Sequence, residues 1–340
     1  MKGSTVALGV INDRRAAARI VDGQLEDFLI DPAADVPLPG AIYRAVVDRQ
    51  FKGQGGIMLR LPGGKAFLRQ GKGLSPGQPM LVQVTGFAED GKATPVTAKV
   101  LFKSRYAIIT PNAPGFNVSR SIKDDDLREE LLAIAHDTID PDFGLIIRSE
   151  AANAHPDAVA EDMAETYALA KQVMADAEGT KPELMLDGPD AHLLAWRDWP
   201  QPDDLADGED AFDIHEVETL LHPFHTPAVK LDGGAHMFVE PTRALVAVDV
   251  NTGGDTSPAA ALKANLATAQ ELPRQLRIRG LAGQITIDFA PMPKKDRRTL
   301  EQSLRAAFKK DSVETSLVGW TPMGNYELQR KRERLPLGAL

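Results

Sequence analysis

Residues 244–255 read A-L-V-A-V-D-V-N-T-G-G-D. Apolar residues lead straight into Asp249, followed by Val250, Asn251 and a turn of glycines. So short and β-branched a run predicts a strand buried on both faces. Side chains two apart share a face, so Asp249 and Asn251 point the same way at its C-terminal end. Asp and Asn also cap loops well, and that plain reading suffices for the stretch alone. The residues downstream add to it. Ser257-Pro258 can start a helix as N-cap and first residue, with Leu262, Leu266, Ala269 and Leu276 along one face. Pro273 should bend that helix and Gly280 should end it. GQITIDF then forms a second strand that also ends in a carboxylate, Asp288. A strand–helix–strand unit implies parallel strands.

In open α/β sheets the sites lie beyond the C-terminal ends of the strands. Two carboxylates there, one per strand, stand roughly 5 Å apart, or roughly 10 Å with one strand between. Like charges that close repel unless a cation joins them. Mg²⁺ suits, since it takes oxygen ligands and completes its shell with waters and substrate phosphate. Such a site could polarise a phosphodiester, with Asn251 orienting a water or the phosphate. Arg274, Arg277, Arg279, Lys294, Lys295, Arg297 and Arg298 are expected to attract a polyanionic backbone.

Composition sets the bounds. At 43% hydrophobic and 26% charged, the 340 residues suit a globular protein of two or three domains. No segment approaches the roughly 20 apolar residues of a membrane span, and MKGSTVALGVINDRR lacks a signal-peptide core. Without cysteine, any metal must sit on oxygen or imidazole. This pattern fits the cytoplasm. The net charge of −9 is uneven: residues 258–340 hold 15 Lys+Arg against 8 Asp+Glu, a balance of +7, and the remainder carries −16. That asymmetry can serve a polyanion, although basic solvated helices are common.

Upstream, residues 5–31 predict a hairpin with Asp22-Gly23 as a turn. From about 41 to 100, short strands at even spacing broken by glycine and proline predict a small barrel of the OB type. Phe67, Arg60, Arg69, Lys65 and Lys92 would give it an aromatic and basic fringe for single-stranded nucleic acid, with Phe67 as plain core an equal alternative. YAIITPNAPG and FGLIIRSEA read as strands flanking a helix at DDDLREELLAIAH. Residues 158–178 read as a helix with Met163, Tyr167, Ala170 and Met174 on one face and Gly179 as its C-cap. PQPDDLADGED, 200–210, reads as a surface loop, and His215, His222 and His225 show no ligand spacing.

ALVAVDVNTGGD, NLATAQELPRQLRIRGLAGQITIDF and LQRKR together resemble the catalytic core of the ribonuclease E/G family. The likeness is strongest from about 212 to 334. It implies an α/β, multidomain (α+β) architecture: an RNase H-like domain (1–36 and a shortened 189–240) interrupted by an OB-type barrel (37–100), a 5′-sensor-like subdomain (101–188) and a DNase I-like catalytic subdomain (241–340). The activity implied is a Mg²⁺-dependent endoribonuclease, with Mn²⁺ able to substitute, that cuts single-stranded RNA and favours 5′-monophosphate ends. On the matching positions, Asp249 and Asp288 hold the metal and Asn251 accompanies them. Arg148 and Ser149 hold the 5′-phosphate, and Phe67 and Lys92 contact RNA. Bidentate arginine plus a hydroxyl suits phosphate.

The departures are specific. The family usually has several more residues, some basic, between the Asp-x-Asn strand and the GGD that is contracted here to NTGGD. The cysteines that join protomers through zinc are absent, which argues against a zinc-linked tetramer and leaves a monomer or a dimer. The long C-terminal scaffold of the larger members is also missing, so the expectation is a compact, ribonuclease G-like chain. Two rivals stand beside it: an RNA-binding protein on the same scaffold that cleaves weakly or not at all, and a metal phosphatase for small phosphoesters.

Overall fold

The computed structural model describes residues 2–50, 55–71 and 73–339. The chain forms two compact units, one of Met1–Asp35, Asp190–His192 and Pro202–Leu340, the other of Val36–Pro189 and Leu193–Gln201. The first unit is thus interrupted in sequence by the second.

It begins as an antiparallel meander of β1 (Ser4–Ile11), β2 (Arg14–Val21) and β3 (Gln24–Ile30). Asn12 and Asp13 turn the first corner at φ 50° and 59°, Asp22 and Gly23 the second at 51° and 81°. Two successive positive φ values match the right-handed twist of the strands, and Asn, Asp and Gly tolerate them best.

In the second unit, β4 (Ile42–Gln50), β5 (Ile57–Leu61), β6 (Gly64–Leu68), β7 (Pro79–Val84) and β8 (Thr94–Thr97) run in the order β4-β5-β6-β8-β7. Strand β7 pairs back onto β4, which closes the OB-like barrel expected from the sequence. Leu59, Ala66, Val82 and Val47 fill its interior. Next come β9 (Phe102–Lys103), β10 (Ala107–Thr110), β11 (Gly115–Val118), α1 (Asp125–Thr138), β12 (Gly144–Ile147) and α2 (Pro156–Ala175). Their sheet has the order β11-β12-β10-β9, and α1 and α2 share its core through Leu131, Ala135, Val159, Met163 and Ala170.

Two details of α2 differ from the sequence reading. It begins at Pro156 behind the N-cap His155, and its buried face is Val159, Met163, Thr166, Ala170 and Val173. Its C-cap is Asp176, so Gly179 has another task. A Cβ at Gly179 would lie 2.5 Å from the Arg44 guanidinium, which reaches past it to the carbonyls of Asp176 and Glu178. Strand β13 (Glu183–Leu186) then adds to β4, and α3 (Ala191–Asp198) follows, belonging to this unit from Leu193 onward.

The first unit resumes with β14 (Asp204–Ala206), which pairs parallel with β1. The acidic stretch expected to be a loop therefore contains an edge strand. Its backbone supplies the pairing, which side-chain polarity does not reveal. Short helices α4 (Ala211–Ile214) and α5 (Val217–Leu221) pack on the meander. The remaining elements are β15 (Ala228–Lys230), β16 (His236–Pro241), β17 (Val246–Asn251), α6 (Pro258–Ile278), β18 (Gly283–Asp288), α7 (Arg297–Lys310), β19 (Thr315–Trp320) and β20 (Tyr326–Arg330).

These strands form one sheet in the order β15-β16-β17-β18-β20-β19. Only β17 and β18 pair parallel; the other neighbours are antiparallel. Helix α6 starts at the N-cap Ser257 and continues through Pro273. It ends with Gly280 at φ 63°, where Leu281 N–H bonds Leu276 C=O at 2.9 Å. The helices bury one face of the sheet, against Met237, Val246, Val248, Ile285, Ile287 and Leu328. The other face carries Asp249, Thr286 and Asp288 and is open, so β17 is buried on one side only. Alanine at 247 hides that alternation in the sequence. Among the described residues no helix is long and apolar enough to cross a membrane.

Candidate active site

The open face of the C-terminal sheet brings the sequence-predicted triplet together. Val248, Val250, Ile287 and Phe289 point into the core, so alternation sends Asp249, Asn251 and Asp288 to the opposite side. The parallel register pairs Val246 with Ile285 and ends by pairing Asp249 with Asp288. The two carboxylates thus stand on adjacent strands, about 5 Å apart at the backbone. Both are exposed. Asn251 Nδ2 donates to Asp249 Oδ2 at 2.8 Å, which fixes that carboxylate and leaves the amide oxygen of Asn251 free to accept.

This donor set discriminates between metals. Among the described residues no three His, Cys, Asp or Glu converge on one point. A closed zinc or calcium cage is therefore not what the face offers. Two exposed carboxylates with room for water fit Mg²⁺, which keeps several waters and accepts substrate oxygens.

The backbone around the pair is held from both sides. Gly253 sits at φ 73°, and a Cβ there would lie 2.5 Å from Gly234 O, so the contracted turn after Asn251 is pressed against the chain entering β16. Asp255 Oδ1 accepts from Ser257 N–H at 2.8 Å and closes the turn into α6. On the other side, fully buried Asn265 donates to Ala290 O at 2.9 Å and accepts from Ala290 N at 3.0 Å. That paired bond locks the chain leaving β18 two residues beyond Asp288. A polar Asn265 inside an apolar helix face is the sequence signal that could have pointed to this lock.

Three of the arginines expected to draw RNA are committed elsewhere. Arg277 bonds Glu26 Oε1 at 2.7 Å and Asp311 Oδ1 at 2.5 Å, and Asp27 stands 3.4 Å away. Asp311 is wholly buried and also pairs with Arg330. Arg279 is buried and donates to the carbonyls of Phe224 and Thr226; burial pushes its guanidinium down to about 10. Arg274 bonds Leu25 O at 2.7 Å. The cause is local: the last turns of α6 pack on β3, which engages Arg274 and Arg277, and on the 224–226 segment, which engages Arg279. Arg297 stacks on Trp320, 4.1 Å from the ring centroid. Lys294, Lys295 and Arg298 remain exposed just past Asp288.

The other predicted residues lie in the second unit. Arg148 is half-buried: its Nη1 donates to the carbonyls of Ser104 and Arg197 at 2.6 and 2.9 Å, and its Nη2 to Asp198 Oδ1 at 2.9 Å. Its Nε edge faces the Glu150 carboxylate at 4.0 Å, and Ser149 Oγ donates to the same carboxylate at 3.1 Å. Burial raises the Asp198 carboxyl, but hydrogen bonds and charge from Arg197 and Lys103 outweigh it and hold the group well below the usual range. Phe67 lies on the outer barrel surface, in register with Met58 and Pro95 and outside the barrel core. Exposed Lys92 pairs with Glu89 at 2.8 Å.

The fold and the site define a class of protein: a modular α/β chain that joins an OB-like barrel to a sheet bearing paired aspartates and an asparagine. A profile described as the Ribonuclease E/G family matches residues 102–204 and 203–333. The chain belongs to that family. It is 27% identical to Ribonuclease G of Salmonella typhimurium over 382 aligned positions, which cover 93% of this chain and 77% of that one. It is also 27% identical to Ribonuclease E of Nostoc sp. over 300 positions, 76% of this chain and 44% of the relative, and 26% identical to Ribonuclease E of Escherichia coli K12, 78% and 29%. The chain thus spans less than half the length of these two ribonuclease E relatives.

Proposed function

We propose that this protein is an endoribonuclease that hydrolyses phosphodiester bonds in single-stranded RNA with Mg²⁺ held by Asp249 and Asp288. The observation that carries the reading is the register of β17 and β18, which places two exposed carboxylates side by side on an open face. Family membership and relatives named ribonucleases support it. When bound, Mg²⁺ supplies Lewis-acid neutralisation of charge on the phosphate. The chain supplies the rest. Asn251 holds Asp249 in place and offers its amide oxygen to an attacking water, and Lys294 and Lys295 attract the backbone just beyond the cut. In the same proposal Phe67 stacks a base on the barrel surface and Lys92 contacts the strand.

The preference for a 5′-monophosphate is part of the proposal, with Arg148 and Ser149 as donors. Support comes from the Nε edge of Arg148 and the Ser149 hydroxyl, which both address one carboxylate, that of Glu150, where an end phosphate would compete. The subdomain assignments, RNase H-like for 1–36 and 189–240, 5′-sensor-like for 101–188 and DNase I-like for 241–340, belong to the same reading, as does a cytoplasmic role in RNA processing or decay.

A circular single-stranded RNA tests the activity, because it has no ends to trim. Linear products with Mg²⁺ and none with EDTA are expected. Binding of the circle without cuts would favour the RNA-binding reading, and turnover of a nitrophenyl phosphate ester in place of RNA would favour the phosphatase.

A further inference from the structure

The open sheet face holds more than the three predicted residues. In antiparallel register across β16 and β17, Phe238 stands opposite Asp249 and His236 opposite Asn251. One strand further out, Lys230 stands opposite His236 and Ala228 opposite Phe238. Side chains of such opposed residues lie on one face with Cβ atoms about 5 Å apart. A continuous row therefore runs Ala228, Phe238, Asp249, Asp288 across four strands, beside a second row of Lys230, His236 and Asn251.

The geometry points to Phe238, flanked by His236 and Lys230, as the nucleotide-seating wall of this site. This rests on the RNA-cleaving reading above and says which base contact sets its specificity. The two rings meet edge to face, with centroids 5.4 Å apart and planes at 90°. Both are half-buried, and Phe238 belongs to no part of the core beneath the helices. Residue 228 opposite it is alanine, too small to cover a ring. A partly exposed aromatic side chain thus stands beside the two carboxylates, with the His236 ring at its edge, the setting in which bases stack sequence-tolerantly but purines more strongly.

The charges give the strand a direction. Along β16 the outward positions read His236, Phe238 and Glu240, and Lys230 stands beside His236 on β15. A phosphate adjacent to the scissile one meets donors at the His236–Lys230 end and repulsion at the Glu240 end. The strand therefore leaves the site over His236 and Lys230. Phe238 is a specificity residue that touches substrate, and His236 positions both the ring and the neighbouring phosphate.

The test uses short RNAs that differ only in the nucleotides flanking one cut, with wild type, Phe238→Leu, Phe238→Trp and His236→Gln. Wild type should favour a purine on one side of the cut. Phe238→Leu keeps an apolar strand residue but removes the stack, so KM should rise about tenfold with kcat within about threefold, and the purine preference should flatten. Phe238→Trp should restore the preference. A Phe238→Leu enzyme that cuts with unchanged KM and unchanged flanking preference overturns the wall and leaves the nuclease reading intact. Should wild type fail to cut at all, the nuclease reading fails by itself, and equilibrium binding of the same RNAs decides the wall. A loss of about fivefold or more in Phe238→Leu supports it, and equal affinity overturns it.

Discussion

Two regions carry the charged groups expected to meet RNA, and they are built in opposite ways. On the C-terminal sheet, Asp249 and Asp288 are exposed and set side by side by strand register, and Asn251 donates to Asp249. In the second unit, Arg148 already serves two carbonyls and Asp198, with Glu150 at its remaining edge. The first arrangement concentrates uncompensated charge, which costs stability and leaves ligand capacity. The second compensates its charge, which stabilises the unit and makes any anion compete with a carboxylate. Free charge should therefore report in activity, and bonded charge in stability.

The largest expected effect is on the free side. Asp249→Asn or Asp288→Asn should cut turnover on the order of a thousandfold, since several kcal/mol of transition-state stabilisation pass through the metal. The melting temperature should hold or rise, because a like-charge pair is relieved. A fall in melting temperature together with activity would show these residues to be structural.

Asp311 is the opposite case. Asp311→Ala takes from buried Arg330 its carboxylate and from Arg277 one of three, and should cost about 3–5 kcal/mol in urea unfolding. The Arg148 region sits between the extremes. Arg148→Ala should abolish any preference for 5′-monophosphate over 5′-hydroxyl RNA and also lower the melting temperature. An unchanged cleavage ratio with a lowered melting temperature would make Arg148 purely structural. Glu150→Gln should raise the preference about twofold to fivefold, the worth of one partly exposed ionic contact.

The smallest effect is in pH. The folded-state carboxyl of Asp198 lies below its unfolded value, so its stabilisation is complete above about pH 4 and fades as pH falls further. The gap in melting temperature between wild type and Asp198→Asn should be widest at pH 7 and narrow below pH 4. A constant gap would show that the ion pairs with Arg197 and Lys103 are not its source.

The sequence showed much of this where local chemistry decides structure. Gly/Pro spacing announced the barrel, and Ser257-Pro258 and Gly280 bracketed α6 within a residue. The strand–helix–strand unit placed Asp249 and Asp288 on the same edge. What stayed hidden depends on partners far away in the chain. Whether Arg277 meets solvent or Asp311 is settled by how α6 packs on β3 and α7. Strand β14 owes its existence to the backbone of β1. Phe238 and His236 alternate with Met237 and Val239 in the sequence, a legible period of two, but only register shows that they face Asp249 and Asn251.

The most direct test compares wild type with Asp288→Asn on a 5′-monophosphorylated, 3′-labelled single-stranded RNA in Mg²⁺, with binding measured on the same samples. Internal cuts by wild type, their loss in the variant and affinity within about threefold would establish the paired aspartates as the metal-binding centre of an RNA-cleaving site. Wild-type cutting by Asp288→Asn would contradict the account at its centre.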